Sequence, residues 1–235
     1  MSGISENLEN VSGKIAAACV RAKRDPASVD LIAVSKTHSV DSLRDAVEAG
    51  QLHFGESKLQ EAEVKIAMLP SHVQWHFIGR LQRNKVRKIL TQFEVIHAID
   101  SFRLATFTDD VAGELGLFPK VFLQVNIGGE TSKGGFEPDE LRADIRGLLG
   151  LKRLEIMGLM CIPPDGPNAE AARPWFVMLR ELRDELELAH GVSLPFLSMG
   201  MSGDYEVAIE EGATHVRVGS AIFGKRSYRV DGELG

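Results

Sequence analysis

Cysteine is scarce in this chain, and long apolar runs are missing. Its 235 residues include only Cys19 and Cys161, which form no CxxC pair and no disulfide framework. We expect both to be small buried apolar residues. No apolar run is long enough to span a bilayer, and the opening residues MSGISENLEN lack the basic and apolar regions of a secretory signal. These absences predict a cytoplasmic protein with no membrane partner.

The chain also lacks an excess of positive charge and the common nucleotide and metal motifs. Its formal net charge is −6, and the basic segment RLQRNKVRK (80–88) contains no aromatic residue, so we expect no nucleic-acid partner. Neither a GxxxxGK[ST] loop nor a GxGxxG motif after the first predicted strand indicates nucleotide binding. The seven histidines show no HExxH spacing, which predicts no metal site. His76 and His97 lie in apolar runs and are interpreted as hydrogen-bonded core residues.

The chain is rich in short β-type runs that alternate with helical patterns. In SVDSLRDAVEAG (39–50), for example, Asp41 can cap a helix and Gly50 can end it. Eight β-type runs recur along the chain: LIAVSK from Leu31, LHFGE from Leu52, WHFIG from Trp75, VIHAID from Val95, VFLQVNI from Val121, LEIMGLM from Leu154, FLSMG from Phe196 and HVRVGS from His215.

Eight βα repeats in about this length predict an α/β fold. We expect a single (β/α)8 TIM barrel in one domain, residues 1–235, with an extra N-terminal helix over about residues 4–24. An open doubly wound sheet is the alternative. In a barrel, sites gather where the strands end at their carboxyl termini, and phosphate groups tend to bind after strands seven and eight.

Lys36 is the first candidate functional residue because it follows the apolar run Leu31 to Val34. It can simply mark where the strand enters solvent. Alternatively, burial at a strand end lowers the pKa of a lysine and leaves its amine ready to form a Schiff base with a carbonyl compound.

Two turns rich in small residues follow the last two strands. They are SMGMSG (198–203) and GSAIFG (219–224), and they supply backbone N–H groups and hydroxyls that could hold a phosphate. The glycines could equally serve only the geometry of the turns.

Arg217 alternates with Val216 and Val218 in strand eight, and is predicted to point into the barrel. A buried guanidinium needs a partner. A core carboxylate is one candidate, and the unprotonated ring nitrogen of a cofactor is the other.

The segments AVSKTH, FGESKLQE, WHFIGRLQRNK and SMGMSGDYEVAIEEGATHVRVGSAIFG resemble the signature blocks of the YggS/PROSC family of pyridoxal-phosphate homeostasis proteins. The resemblance runs from about residue 8 to 226 and implies a fold-type III barrel, similar to that of alanine racemases, without their C-terminal β-domain. It implies pyridoxal 5′-phosphate (PLP) as cofactor. The residues expected to bind it are Lys36, as the Schiff-base lysine, Ser198, Met199, Gly200, Ser202, Gly219 and Ser220, around the phosphate, and Arg217, at the ring nitrogen. Ser57 and Lys58 depart from the family pattern, which has asparagine and tyrosine there.

Cofactor storage and delivery, with no catalytic residue and no turnover, is the function that this resemblance implies. Alanine racemases need a second base on the other face of the cofactor, and neither Tyr205 nor Tyr228 lies at a predicted strand end. We expect a monomer, with PLP-dependent apo-enzymes as candidate partners. Two alternatives stay open: a PLP-dependent racemase or lyase, and a Schiff-base aldolase or phosphosugar isomerase. The last has no use for Arg217 at a ring nitrogen.

Overall fold

Eight parallel strands close into a barrel in the order of the sequence. A computed structural model describes residues 3–130 and 134–224 of the chain. Pairing of β8 back onto β1, with Arg217 beside Ile32, closes the sheet, so the barrel prediction is confirmed and the open-sheet alternative is wrong. The strands are β1 (Asp30–Val34), β2 (His53–Glu56), β3 (Gln74–Phe77), β4 (Val95–Ile99), β5 (Lys120–Val125), β6 (Glu155–Cys161), β7 (Phe196–Met201) and β8 (His215–Val218).

Helices surround the barrel and bury the outward faces of the strands. All five residues of β4 are buried, because a barrel strand is covered by the interior on one face and by helices on the other. The helices are α1 (Gly3–Arg21), α2 (Val40–Glu48), α3 (Leu59–Met68), α4 (Val86–Leu90), α5 (Phe102–Leu115), α6 (Pro138–Leu149), α7 (Arg173–His190), α8 (Tyr205–Glu210) and α9 (Ser220–Phe223). Within the described ranges, no helix is both long enough and apolar enough to cross a bilayer.

The extra N-terminal helix is present as α1 and packs against the last helices of the barrel. Asn7 Nδ2 donates to the carbonyl of Ile222 at 2.8 Å, and Arg24 Nη1 donates to the carbonyl of Ile209 at 2.8 Å. Because these bonds join the two ends of the described chain, α1 supports the same side of the barrel as the turns after β7 and β8.

The start of α2 differs from the prediction. Ser39 is the capping residue, since its Oγ accepts the backbone N–H of Ser42 at 3.2 Å, while Asp41 lies in the first turn and pairs with Arg44. Both residue types cap helices, and only the backbone shows which one precedes the first turn. Gly50, with φ of 93°, lies just beyond the helix end, as predicted.

Part of the barrel interior is polar. Histidine rings from β3, β4 and β8 lie against one another, and those from β4 and β8 also lie against the Phe122 ring of β5, with centroids 4.6 to 6.4 Å apart. Barrel interiors are usually filled by branched apolar side chains. Polar groups buried there must instead find hydrogen-bond partners, and these groups have them: His76, His97, Ser198, His215 and Arg217.

Candidate functional site

A cavity of about 300 Å³ opens where the strands end at their carboxyl termini. It contains five of the eight residues that the sequence predicted: Lys36, Ser202, Arg217, Gly219 and Ser220. The other lining residues are Val34, His38, Ser57, Ile78, Ile162, Met201, Gly203 and Gly224. Residues from opposite ends of the chain therefore meet at one site, as the barrel topology predicts.

The other three predicted residues, Ser198, Met199 and Gly200, lie deeper and do not line the cavity. Strand β7 continues to Met201, so these three belong to the strand and not to the turn after it. The turn consists of Ser202 and the two residues that follow, and the Met201 backbone N–H donates to Asp204 Oδ1 at 2.6 Å. Burial raises the pKa of the Asp204 carboxyl, against the effects of that hydrogen bond and of Arg217.

Gly200 permits the close packing of α8 against β7. Its φ is +93°, and a Cβ placed on it would lie 2.6 Å from the Cβ of Ala208 and 2.9 Å from the Cα of Tyr205. A side chain at this position would both strain the backbone and push α8 away. The role of Gly200 is thus to bring the turn after β7 into position.

The turns after β7 and β8 are joined to each other. Ser202 Oγ accepts the backbone N–H of Gly219 at 3.0 Å. A Cβ on Gly219 would lie 3.2 Å from the carbonyl oxygen of Val34, so a small residue here lets β8 approach β1 closely. The first N–H groups of α9 have no partner inside the helix and lie at the cavity, beside Ser220. Together the two turns form a concave surface of hydroxyls and backbone N–H groups.

Lys36 lies in a tight turn two residues beyond the end of β1 and is half-buried. The residue before it and the residue after it are both held by hydrogen bonds to one buried cluster of charges. Lys65 Nζ donates to the carbonyl of Ser35 at 2.7 Å, and Glu61 Oε1 accepts the backbone N–H of Thr37 at 2.5 Å. The backbone on both sides of Lys36 is therefore fixed.

The cluster consists of Glu56, Glu61 and Lys65, and it was not predicted from the sequence. Lys65 Nζ lies 2.6 Å from Glu56 Oε1 and 2.6 Å from Glu61 Oε1, and its side chain is only 4% exposed. The spacing of Glu61 and Lys65, four residues apart in α3, is the sequence signal that could have revealed half of it. Glu56 comes from β2, so the other half depends on tertiary contact.

Burial affects the two carboxyls of the cluster differently. Burial raises the pKa of Glu56 despite the opposing effects of Lys65 and Ser35, and its Oε2 is buried without a hydrogen bond. Burial also disfavours ionisation of Glu61, but hydrogen bonds from Lys65 and Thr37 outweigh it and lower the pKa of Glu61. Glu61 is therefore more readily ionised than Glu56, and it holds the turn of Lys36 through its hydrogen bond from the Thr37 N–H.

Thr37 has a φ of 70°, in the left-handed region that β-branched residues rarely adopt. Such a conformation costs about 1–3 kcal/mol and persists only where the surrounding contacts impose it. The hydrogen bond to Glu61 is one such contact. His38, the next residue, lines the cavity and stacks on Phe223 of α9 with ring centroids 4.9 Å apart.

Arg217 is 5% exposed and its guanidinium is held by neutral partners. Nη1 donates to Ser198 Oγ at 2.6 Å and Nη2 donates to the carbonyl of Cys161 at 2.9 Å. Among the described residues no carboxylate forms an ion pair with it, so the core-carboxylate interpretation is not supported. Burial lowers the pKa of Arg217, but a guanidinium stays charged in a protein. The site thus presents a buried cation whose charge no neighbouring anion contacts.

Ser57 lines the cavity, whereas Lys58 is exposed at the start of α3. A Cβ on Gly79 would lie 2.2 Å from the carbonyl oxygen of Ser57, so this glycine lets the loop after β3 pack on the loop after β2. The basic segment 80–88 lies outside the cavity lining. Arg87 pairs with Glu114, and Lys88 lies 3.3 Å from Glu63.

The fold and the site define a class of protein, the barrels of the alanine racemase type. The family model for the N-terminal domain of alanine racemase matches residues 8–227. Alanine racemase of Clostridium difficile, at 13% identity, superposes with a TM-score of 0.76 over 98% of this chain and 58% of its own, and so shares the fold.

Two groups of similar proteins narrow that class. The pyridoxal phosphate homeostasis protein of Pseudomonas aeruginosa is 44% identical over 232 residues, which cover 97% of this chain and 98% of the relative. That of Aquifex aeolicus is 43% identical over 224 residues, or 95% and 98%. PipY of Synechococcus elongatus, solved with PLP bound, is 41% identical with a TM-score of 0.82, covering 94% of this chain and 100% of PipY. This chain belongs to the family of pyridoxal phosphate homeostasis proteins, which confirms the resemblance of the sequence motifs.

Proposed function

We propose that this protein binds PLP in the cavity, as a Schiff base with Lys36, and acts in PLP homeostasis by storing and delivering the cofactor. The observation that carries the proposal is that Lys36 and Arg217 line one cavity with the two turns of small residues. The names of the relatives and the PLP bound to PipY support it.

The residues present fit the chemical groups of this cofactor. A cavity of about 300 Å³ lies within the range of small-molecule sites. The amine of Lys36 suits an aldehyde, and the hydroxyls and N–H groups of the turns at Ser202 and Ser220 suit a phosphate. Arg217 suits a neutral acceptor nitrogen, since an arginine donates and never accepts.

When bound, PLP supplies an electron sink to amino-acid chemistry, and the residues of this site keep that sink weak. Arg217 cannot lose its proton to a ring nitrogen, so the nitrogen facing it stays unprotonated. Ser202 and Ser220 would bind the phosphate, and Lys36 would hold the aldehyde carbon. This division of roles favours holding the cofactor over reacting through it.

The absence of turnover is part of the proposal. Tyr205, one of the two tyrosines that could serve as a second base, is buried at the start of α8 and does not line the cavity. Tyr228 lies outside the described residues. A racemase or lyase is the second candidate function, because the fold relatives include alanine racemases. An aldolase or isomerase is disfavoured because it has no role for Arg217.

We further propose that the chain forms one domain over residues 1–235, that it acts as a monomer in the cytoplasm, and that its partners are PLP-dependent apo-enzymes. Size-exclusion chromatography with light scattering tests the monomer. Mixing the PLP-loaded protein with an apo-enzyme on opposite sides of a dialysis membrane, and then in one chamber, distinguishes release of free cofactor from direct transfer.

The decisive test of binding is the absorption spectrum of the purified protein with added PLP, followed by borohydride reduction and peptide mapping. A Schiff-base band whose label maps to Lys36 and disappears in Lys36→Ala is the expected result. Lys58→Ala is the matched control, since Lys58 is exposed, and it should keep the band. No band, or label spread over Lys58 and Lys85, would contradict the proposal and favour the aldolase or isomerase.

A further inference from the structure

Three histidines on successive strands connect through the barrel interior, and the proposed function gives them no role. His53 Nδ1 lies 3.0 Å from His76 Nε2, and His76 Nδ1 lies 3.0 Å from His97 Nε2. His53 is half-buried at the start of β2, whereas the other two are 2% and 0% exposed. In residues 3–130 and 134–224, no group of histidine, cysteine and carboxylate side chains could hold a metal ion.

The row of histidines ends at Arg217. His97 Nδ1 lies 2.8 Å from Ser198 Oγ, and the same oxygen accepts from Arg217 Nη1 at 2.6 Å. Four hydrogen bonds in series thus run from the N-terminal end of the barrel, at His53, to the guanidinium that lines the cavity.

Arg217 sets the direction of these bonds because a guanidinium can only donate. Ser198 Oγ accepts from Arg217, and in the described part of the chain its only other partner is His97. The buried hydroxyl proton of Ser198 therefore finds an acceptor only when it points to His97 Nδ1. His97 must then carry its proton on Nε2 and donate to His76 Nδ1. By the same logic, His76 carries its proton on Nε2 and donates to His53.

We infer that Ser198, His97 and His76 are positioning residues that hold the Arg217 guanidinium against the cavity through a one-way chain of hydrogen bonds ending at His53. This inference rests on the proposed function, because the chain of hydrogen bonds ends at the site where PLP would bind. It also gives Ser198 a role that does not require it to touch the phosphate.

The surroundings of His76 and His97 favour the neutral form of both imidazole rings. Burial holds the pKa of His76 and His97 well below the usual histidine value, and the neighbouring His215 adds to this effect for both, with Arg217 for His97. Besides each other, the groups that face these two rings are His215, which faces both, His53, which faces His76, and Phe122 and Arg217, which face His97. His215 does not belong to this chain of hydrogen bonds. Thr214 Oγ1 lies 2.9 Å from its Nδ1, and Asp30 Oδ2 lies 3.5 Å from its Nε2.

Neutral histidine rings matter for the site because Ser198 Oγ can then accept from Arg217 while it donates its own proton to His97. In the part of the chain that the structure describes, no second cation contacts the guanidinium and no carboxylate forms an ion pair with it, although Asp204 interacts with its charge electrostatically. The hydrogen bonds from Nη1 to Ser198 Oγ and from Nη2 to the carbonyl of Cys161 together fix the orientation of the planar guanidinium. Its remaining donors are then available to a ligand in the cavity.

Nitrogen-15 NMR of the histidine rings in the cofactor-free protein tests the chain without any variant. We expect His76 and His97 to be neutral with the proton on Nε2 across about pH 6 to 8, where exposed histidines titrate. A proton on Nδ1 of either ring, or a positive charge on either ring in this range, would overturn the inference. This readout does not depend on whether PLP binds.

Substitution of Ser198 tests the consequence for the site. Ser198→Ala should shift the Arg217 guanidinium signals and weaken PLP binding about tenfold, the size of one hydrogen bond to a charged group, and Ser198→Thr should recover most of the loss. His215→Gln, an interior histidine outside the chain, is the control and should leave the His97 tautomer unchanged. A folded Ser198→Ala protein with unchanged guanidinium signals and affinity would overturn the inference, whereas failure of the native protein to bind PLP would contradict the proposed function instead.

Discussion

The two sides of the cavity are held by different kinds of interaction. The turn of Lys36 is fixed by a buried cluster of two carboxylates and one ammonium, through hydrogen bonds to Ser35 and Thr37. The turns after β7 and β8 are fixed by close backbone packing at Gly200 and by the neutral hydroxyl of Ser202.

The difference follows from what each side has to present. The proposed Schiff base of Lys36 needs a rigid backbone, and the cluster supplies it, because Lys65 Nζ bonds both carboxylates as well as the carbonyl of Ser35. On the other side, the groups of the two turns that line the cavity are hydroxyls and backbone N–H groups, and the carboxylate of the β7 turn, Asp204, accepts the backbone N–H of Met201. A cluster of three charges thus anchors one side, whereas backbone packing, one hydroxyl and one carboxylate bonded to the backbone hold the other.

Among the variants considered, loss of the buried ammonium of Lys65 should destabilise the protein most, on the side of the cavity that carries Lys36. Lys65→Met leaves Glu56 buried without its cation, and we expect the free energy of unfolding to fall by about 3–5 kcal/mol. Urea unfolding at neutral pH measures it. The double variant Lys65→Met with Glu56→Gln should recover part of the loss, because the uncompensated charge is then gone.

The control for this prediction is Lys88→Met. Lys88 is 66% exposed and lies 3.3 Å from Glu63, so its loss should change the free energy of unfolding by no more than about 0.5 kcal/mol. If Lys65→Met behaved like this surface variant, the cluster would not anchor the turn.

Backbone packing on the other side is tested at Gly200. Gly200→Ala should destabilise the protein by about 1–3 kcal/mol, since the new Cβ meets Ala208 at 2.6 Å and the φ of 93° disfavours alanine. Thermal and urea unfolding measure the loss. Gly203→Ala is the matched control, because a Cβ on Gly203 would have no atom within 4 Å. Equal stability of the two variants would contradict the packing role.

The hydroxyl that joins the two turns has a smaller expected effect. Ser202→Ala removes a hydroxyl donor from the cavity lining together with the hydrogen bond that joins the two turns, and it should weaken binding of inorganic phosphate, measured by isothermal titration, about fivefold, or about 1 kcal/mol. Ser57→Ala removes a hydroxyl from another part of the cavity lining and should leave phosphate binding unchanged. A larger effect at position 57 than at 202 would place the phosphate elsewhere.

The dependence of stability on pH distinguishes the two carboxylates of the cluster. Burial raises the folded-state pKa of Glu56, so its contribution to stability is full below the unfolded value of 4.5 and is lost as pH rises through the folded pKa. The pKa of Glu61 is lowered, and its contribution is lost as pH falls. Stability of Glu56→Gln relative to wild type should therefore increase as pH rises above about 4.5.

Urea unfolding across that pH range measures the slope. The same measurement on Glu61→Gln should give a slope of opposite sign. The free energy of unfolding of this variant, relative to wild type, should decrease as pH rises from the lowered pKa of Glu61. Slopes of the same sign in both variants would show that burial does not separate the two carboxyls.

Local pattern was enough to predict the fold, and together with the family resemblance it named five of the residues that line the cavity. The eight strands and the extra helix followed from strand periodicity and helix signals, Lys36, Arg217 and the two turns from the barrel rule, and the particular residues Ser202, Gly219 and Ser220 from the resemblance. The interpretation of His76 and His97 as hydrogen-bonded core residues is confirmed as well. Each of these depends on neighbours in sequence or on a property of the whole fold.

The tertiary structure alone decided which groups meet across strands. Pairing of Glu56 with Lys65, contact of Ser202 with Gly219, and the histidine row that ends at Arg217 join residues from different repeats. The extent of β7, which places Ser198 within the strand and outside the cavity lining, was likewise visible only in the structure. Periodicity determines which face of a strand is buried, but hydrogen bonds between side chains require distances near 3 Å, and only the closed barrel sets those.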